Sequence, residues 1–537
     1  MFDNLTVPPI LAKSPYLALG FVVVFVAIGL LLRHHLANQS KVLPPGPRRL
    51  PIIGNVFDFP DGFEGTHWAA HKKLYGPLSS VQAFGKTFII INDINVATDL
   101  LEKRSAKHSD RPDATFGGKM CGFDAVLSMQ GPGEKWRSAR RRIHNSIGTR
   151  AAVSQFNDLL ELEGRRLALA FLDSPEKFVE HFQAYAGAII LKICFDYSIS
   201  RNGHDPLVAL GKEAMDVFVD SVSNLWIVDV IPALQYLPGW LPGMGFKKVA
   251  KQYHSVLYEF MERPFKFVKS RMAKSAAATS FVSSELESSS GSPEEEHEIK
   301  WTTAALYGGG ADTSVAVMQT FILAMTLHPE VVRKAQAEID SVIGADRLPQ
   351  LSDRPSLPYL DAVIKETLRW NVAAPLSLPR ATGEDDEYNG YFIPKGAVIF
   401  PNVWQMCHDP SLYHDSFAFK PERFLPSGGR EPELDPRNFA FGFGRRICPG
   451  KELGDASLYV AFSTVLAVFN ISKARDSAGR LTEPEVEYLP GVVSHPKKFQ
   501  CSINPRSQGA VALIRTVMTE SLYDQDDSAH LPESHIH

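Results

Sequence analysis

Cysteine is scarce in this sequence and falls in no useful spacing. Five residues, Cys121, Cys194, Cys407, Cys448 and Cys501, are scattered through a chain of 537. An odd number spread this widely excludes a disulfide scaffold, offers no zinc-ligand pattern and points to a reducing compartment. Charge of one sign is not in excess either. The formal net charge is −4 and the pI is near 6.5, which gives no sign of nucleic-acid binding, and no nucleic-acid partner is expected. Internal repeats are missing, and long alternating apolar stretches are few, so the periodicity predicts a mainly α body with a smaller β-rich part.

What the chain does have is apolar content, 45% hydrophobic residues, enough to bury large cores. Residues 16–32 contain no charge. As a helix they span about 25 Å, slightly under the hydrocarbon thickness of a bilayer, a gap that flanking residues or local thinning absorb. The competing reading, a cleaved signal peptide, has a shorter apolar core and a small-residue cleavage site; none precedes Arg33. Lys13 lies before the run, and Arg33, Lys41, Arg48 and Arg49 follow it. The positive-inside rule therefore puts residues 1–15 in the lumen, with Asn4 in a sequon, and the body in the cytosol. Residues 33–51 form a basic, proline-rich linker, 52–506 the globular domain and 507–537 a polar tail expected to fray.

Within the body, helices are expected over 151–198 and 205–225, and from 298 to 327, where His328-Pro329 stops the last. Strands are expected near 85–92 and 391–400. Residues 273–296 read as a flexible Ser/Ala/Glu loop. The stretch 225–242, with Trp226, Tyr236 and Trp240, fits either a membrane-interface element or a lid packed over the core.

Chemistry concentrates at Phe441-Gly-Phe-Gly-Arg-Arg-Ile-Cys448-Pro-Gly450. Glycines let a backbone turn tightly against a flat ligand, arginines pair with carboxylates, and a lone thiolate is an axial iron ligand that favours O–O cleavage. The loop reads as a haem-thiolate site. Gly308-Gly309-Gly310 precedes Asp312 and Thr313. Three glycines inside a helix call for a ligand pressed on the backbone or a local bulge, the alternative being a plain loop. Glu366 and Arg369 share a helical face, and Arg423 is placed to complete a buried Arg–Glu–Arg triad. Trp136 with Arg140, Arg380 and Arg446 are candidates for haem carboxylates, each competing with a solvated surface role.

Taken in order, these motifs resemble the cytochrome P450 family, from the proline hinge at Pro44 to about Pro505. The pattern F-x-x-G-x-R-x-C-x-G is met by Phe441, Gly444, Arg446, Cys448 and Gly450; small-Gly-x-acid-Thr by Gly309, Gly310, Asp312 and Thr313; E-x-x-R by Glu366 and Arg369; W-x-x-x-R by Trp136 and Arg140. The style is similar to that of fungal microsomal members near the O-methylsterigmatocystin oxidoreductase group. The resemblance implies a single P450-fold domain behind an N-terminal transmembrane helix, enclosing haem b with Cys448 as the iron ligand. Phe441 and Gly450 flank the thiolate, Trp136, Arg140, Arg380 and Arg446 bind the propionates, and Asp312 and Thr313 activate oxygen. It further implies a monooxygenase of secondary metabolism in the endoplasmic reticulum membrane. Electrons from NADPH come through cytochrome P450 reductase, cytochrome b5 being a second candidate donor, and Lys135, Arg137, Arg141, Arg142, Arg445 and Lys451 form a docking face. The substrate is a hydrophobic small molecule bound by residues 116–127, the stretch after Leu207, and residues 304–311, 372–378 and 491–494. The rivals are a haem-thiolate isomerase or dehydratase that uses no reductase, and a non-catalytic haem-binding protein. The intact Asp312-Thr313 pair argues against both.

Overall fold

The computed structural model describes residues 41–201, 205–274, 279–516 and 526–534; the expected membrane span and Asn4 lie outside them. Ten helices carry the argument. Helix α1 (Glu134–Ile147) turns Trp136, Ala139, Ile143 and Ile147 inward at three- and four-residue spacing. Helices α2 (Asn157–Asp173) and α3 (Phe178–Phe195) replace the single helical region expected, because Ser174-Pro175 cuts it. Helix α4 (Pro206–Ser223) starts where the Asp205 carboxylate accepts the N–H groups of Leu207 and Val208 at 2.9 and 3.0 Å. Helix α5 (Phe246–Ala273) crosses behind it.

Helices α6 (Pro293–Ala311) and α7 (Thr313–Leu327) form the central axis, with a break at Asp312. Helix α7 is buried on every side from Val315 to Thr326, and Phe321 stacks on Phe462 of α9 (Lys451–Val468) with ring centres 3.8 Å apart. Helix α8 (Pro358–Trp370) carries Glu366 and Arg369.

The β part is small. Strands β1 (Leu78–Ala83) and β2 (Lys86–Ile91) form a hairpin. Four more are β3 (Arg380–Ala381), β4 (Asp386–Tyr388), β5 (Tyr391–Ile393) and β6 (Val398–Pro401), and the last two are β7 (Phe469–Lys473) and β8 (Cys501–Pro505). The main sheet runs β1-β2-β6-β3. Pairing of Arg380 with Ile399 puts that arginine at the inner edge, beside the site. The strand expected over 391–400 is two strands, since Pro394 and the left-handed Gly396 (φ 76°) turn the chain between them.

Three expectations are corrected. Residues 281–287 are a helix, not loop: the Ser280 and Ser283 hydroxyls cap its first turn reciprocally. The long helix starts at Pro293 rather than 298, because Ser292 accepts the Glu295 N–H at 3.2 Å, Pro293 takes the first position and three glutamates face the positive helix end. The tail is not all frayed. Helix α10 (Gln508–Arg515) buries Ile514 against the core, and Asp527 exchanges bonds with the Ser198 backbone at 2.9 and 3.1 Å.

Candidate active site

The cysteine loop owes its shape to Gly444. Its φ is +49°, and a Cβ there would lie 2.3 Å from the Leu101 carbonyl oxygen, so no other residue fits. The turn brings the Cys448 N–H to the Phe441 carbonyl at 2.8 Å and leaves the thiol open to one internal cavity of about 390 Å³. Burial raises the Cys448 pKa, while the Gly450 N–H, Arg140 and Lys451 act the other way and favour thiolate. Phe441 and Gly450 line the cavity beside the sulfur.

Four guanidinium groups converge on the same space: Arg140, Arg380, Arg446 and Arg111. The Trp136 indole is stacked between two of them, with Arg140 at 5.3 Å and Arg446 at 4.6 Å from the ring centre. Backbone carbonyls steer all four, Arg140 donating to Ile447 at 2.8 Å. Arg380 donates to Phe443 at 2.8 Å, Arg446 to Ser109 at 2.8 Å and Gln130 at 2.6 Å, and Arg111 to Ser128 at 2.6 Å and Leu378 at 2.9 Å. Among the described residues none of the four makes an ion pair with a carboxylate. Burial lowers all four, and for Arg111, Arg380 and Arg446 the neighbouring cations lower them further: Arg446 falls to about 10 and Arg380 to about 9. Buried like charges without counterions are costly. The donor set fits a ligand that brings two carboxylates, as haem does, to lie over a thiolate.

In another part of the same cavity wall, the sequence-predicted helix does break. Thr313 lines the cavity, its hydroxyl donating to the Gly309 carbonyl at 2.9 Å. A Cβ on Gly309 would meet nothing within 4 Å, so the backbone there faces open cavity, while one on Gly310 would press on Ile190 at 3.1 Å. Asp312 stands at the break but not in the cavity wall.

The remaining wall is apolar. Ala304, Ala305, Val372, Val492 and Val493 come from segments the sequence pointed to. Leu257 and Phe260 of α5 do not, and neither does Arg111; only the tertiary fold brings them in. The Asp110-Arg111-Pro112 run was the one local signal for Arg111. Phe116, expected in the wall, is outside it and stacks instead on Trp226 at 3.6 Å. Asp229 ties the same two loops together, accepting the Thr115 and Phe116 N–H groups at 2.6 and 2.9 Å. The 225–242 stretch divides residue by residue: Trp226 packs inward against the core, and Tyr236 and Trp240 are each 82% exposed.

The expected triad is present. Arg369 donates to both Glu366 oxygens at 2.7 and 2.8 Å, and Arg423 adds a bond of 3.1 Å, all three residues buried. Of the basic docking face, Arg142 is withdrawn. It is held by Glu285 and by Glu295 at 3.0 Å, a pairing made possible by the unforeseen 281–287 helix. Lys135, Arg137, Arg141 and Arg445 remain exposed.

The chain matches the family model described as cytochrome P450 over residues 44–503. It is 46% identical over 511 residues to cytochrome P450 monooxygenase claR of Ampulloclitocybe clavipes, covering 94% of this chain and 95% of that one. It is 42% identical to cytochrome P450 monooxygenase ppsD of Aspergillus oryzae over 92% of this chain and 95% of the relative. Identity to the O-methylsterigmatocystin oxidoreductase of Aspergillus flavus is 38%, over 91% and 92% of the two chains.

Proposed function

The chain belongs to the cytochrome P450 family and is a monooxygenase of that family, and from that premise we propose that it inserts one oxygen atom from O2 into a hydrophobic small molecule of secondary metabolism. Electrons come from NADPH through cytochrome P450 reductase, with cytochrome b5 as an accessory donor. The observation that carries this reading is the joint placement of Cys448, four uncompensated arginines and Thr313 around one cavity.

Haem b, when bound, supplies the oxygen-activating chemistry, and the protein supplies orientation and water exclusion. Cys448 Sγ would be the iron ligand; burial raises its pKa, and the Gly450 N–H and the Arg140 charge oppose that rise. Arg111, Arg140, Arg380 and Arg446, with Trp136 between two of them, hold the propionates. Thr313 Oγ1 stands at the cavity surface, where its hydroxyl can exchange the Gly309 carbonyl for an acceptor on the ligand side, and Asp312 behind it feeds protons to that position. The apolar wall selects neutral substrates, because a charged group would be desolvated there without a partner.

Exchanging Thr313 for alanine should cut product formation about 10-fold or more while peroxide release per NADPH rises, measured with reductase and a substrate panel. Turnover that survives without reductase and NADPH would refute the monooxygenase reading in favour of an isomerase or dehydratase.

We further place the chain in the endoplasmic reticulum membrane, anchored once by residues 16–32, with the catalytic domain cytosolic. An exposed apolar face supports this: Ile52 (95%) and Phe57 beside the β1–β2 turn, with Trp240, Tyr236, Leu225 and Ile227 of the lid. Lys86 joins the two groups by donating to the Asp229 carbonyl at 3.3 Å. In microsomes the protein should resist alkaline carbonate extraction; recovery in the supernatant would exclude the anchor.

A further inference from the structure

Asp312 meets a partner that no motif contains. His495 Nε2 lies 3.2 Å from one carboxylate oxygen and 3.3 Å from the other, and Nδ1 lies 3.3 Å from Gln319 Oε1, about two helical turns further along α7. The histidine is carried on a turn that cannot drift. Ser494 N–H bonds the Ala373 carbonyl at 2.8 Å, and Leu489 N–H bonds the His495 carbonyl at 2.8 Å. Asn371 Nδ2 then bridges Thr320 Oγ1 and the Ser494 carbonyl at 3.2 and 3.4 Å. The turn is thus locked to the same cavity wall that Val492 and Val493 line.

The carboxylate has no other ionic partner among the described residues. Helix α7 contains no charged side chain, and Glu487 and Lys497, which flank His495, pair with each other. Asp312 and His495 side chains are 26% and 22% exposed, and neither lines the cavity. The pair therefore occupies the outer side of the helix break whose inner side carries Thr313.

We propose that His495 positions the Asp312 carboxylate, so that proton delivery through the helix break depends on the Nε2–H to carboxylate hydrogen bond. This rests on the reading of Asp312 and Thr313 as the oxygen-activation pair. The bond needs an Nε2–H: the doubly protonated ring donates to Asp312 and to Gln319 Oε1 together, and a neutral ring donates to Asp312 in its Nε2–H tautomer with the Gln319 amide turned to offer its NH2 to Nδ1. Without it, the carboxylate at a broken helix end is free to change rotamer. A broken helix supplies neither the regular ladder nor a close-packed neighbour to hold it.

The test uses the full-length protein with reductase in lipid, comparing His495→Phe, His495→Gln, His495→Asn and Asp312→Asn. Peroxide released per NADPH should rise at least threefold in His495→Phe, with a larger solvent isotope effect. His495→Gln, whose amide reaches the carboxylate, should stay within twofold of the parent. Deuterium uptake by the 310–316 peptide of the ferric protein should quicken in His495→Phe and not in His495→Gln. If Asp312→Asn uncouples and His495→Phe does not, the positioning role is overturned while the role of Asp312 stands. If neither uncouples, the acid–Thr reading falls and takes this one with it. Should His495→Phe fail to bind haem, equal coupling in His495→Gln and in the shorter His495→Asn would overturn the proposal.

Discussion

Cys448→Ala is expected to yield a folded chain with no red-shifted Soret band when reduced under carbon monoxide, and no monooxygenase turnover. The fold has little stake in the sulfur. The loop is turned by Gly444 and closed by a backbone bond from residue 448 to the Phe441 carbonyl, and alanine preserves both. The lost burial of one sulfur costs about 1 kcal/mol, small against a whole domain. The chemistry depends on it entirely, because thiolate donation is what favours O–O cleavage over simple ligand binding. The four arginines and Trp136 are untouched by the change, so pigment with an altered spectrum should still form. A thiolate-type band in the alanine variant would show that another residue ligates the iron and would sink the assignment.

Glu366→Gln should do the opposite and destroy the fold before any question of chemistry arises. Arg369 and Arg423 both converge on this carboxylate, and Arg369 also donates to the carbonyls of Cys407 and Ala418, the latter at 3.1 Å. Glutamine leaves two buried guanidinium charges facing a neutral amide whose NH2 repels one of them. Breaking a buried pair in this way costs about 3–5 kcal/mol, a large part of ordinary domain stability. The soluble haem-containing yield should fall below a tenth of the parent's, with the remainder aggregated. A purified Glu366→Gln protein that melts with the parent would show that the triad is dispensable. Burial of the pair raises another expectation. Exchanging all three residues for apolar ones of similar volume should be tolerated better than the single change.

Both targets were legible in the sequence, and for one reason. Cys448 with its glycines, and Glu366 with Arg369, act through neighbours within a few positions, so spacing alone shows the geometry. Thr313 and the break were legible too, since three glycines inside an apolar helical pattern need an explanation. Arg111, Leu257, Phe260 and His495 were not. Each reaches the site from an element distant in the chain, and apart from the acidic and proline neighbours of Arg111 nothing local distinguishes it from a surface charge or a core residue. Arg142 shows the same limit from the other side. Its place in a basic run suggested a partner surface, yet Glu285 and Glu295 neutralise it from helices 143 and 153 positions away. The 281–287 helix was missed because its serines looked like linker composition. Serine also caps helices, and that depends on where its hydroxyl points.

The carboxylate and the carbonyl of Asp229 together hold three segments to one another. Two N–H groups from the loop opposite end on this one acceptor, and the same residue's carbonyl takes the Lys86 ammonium from the sheet. Three separate pieces of chain are thereby fastened at a single rivet. Because the three segments share one anchor, whatever frees one of them loosens its hold on the other two.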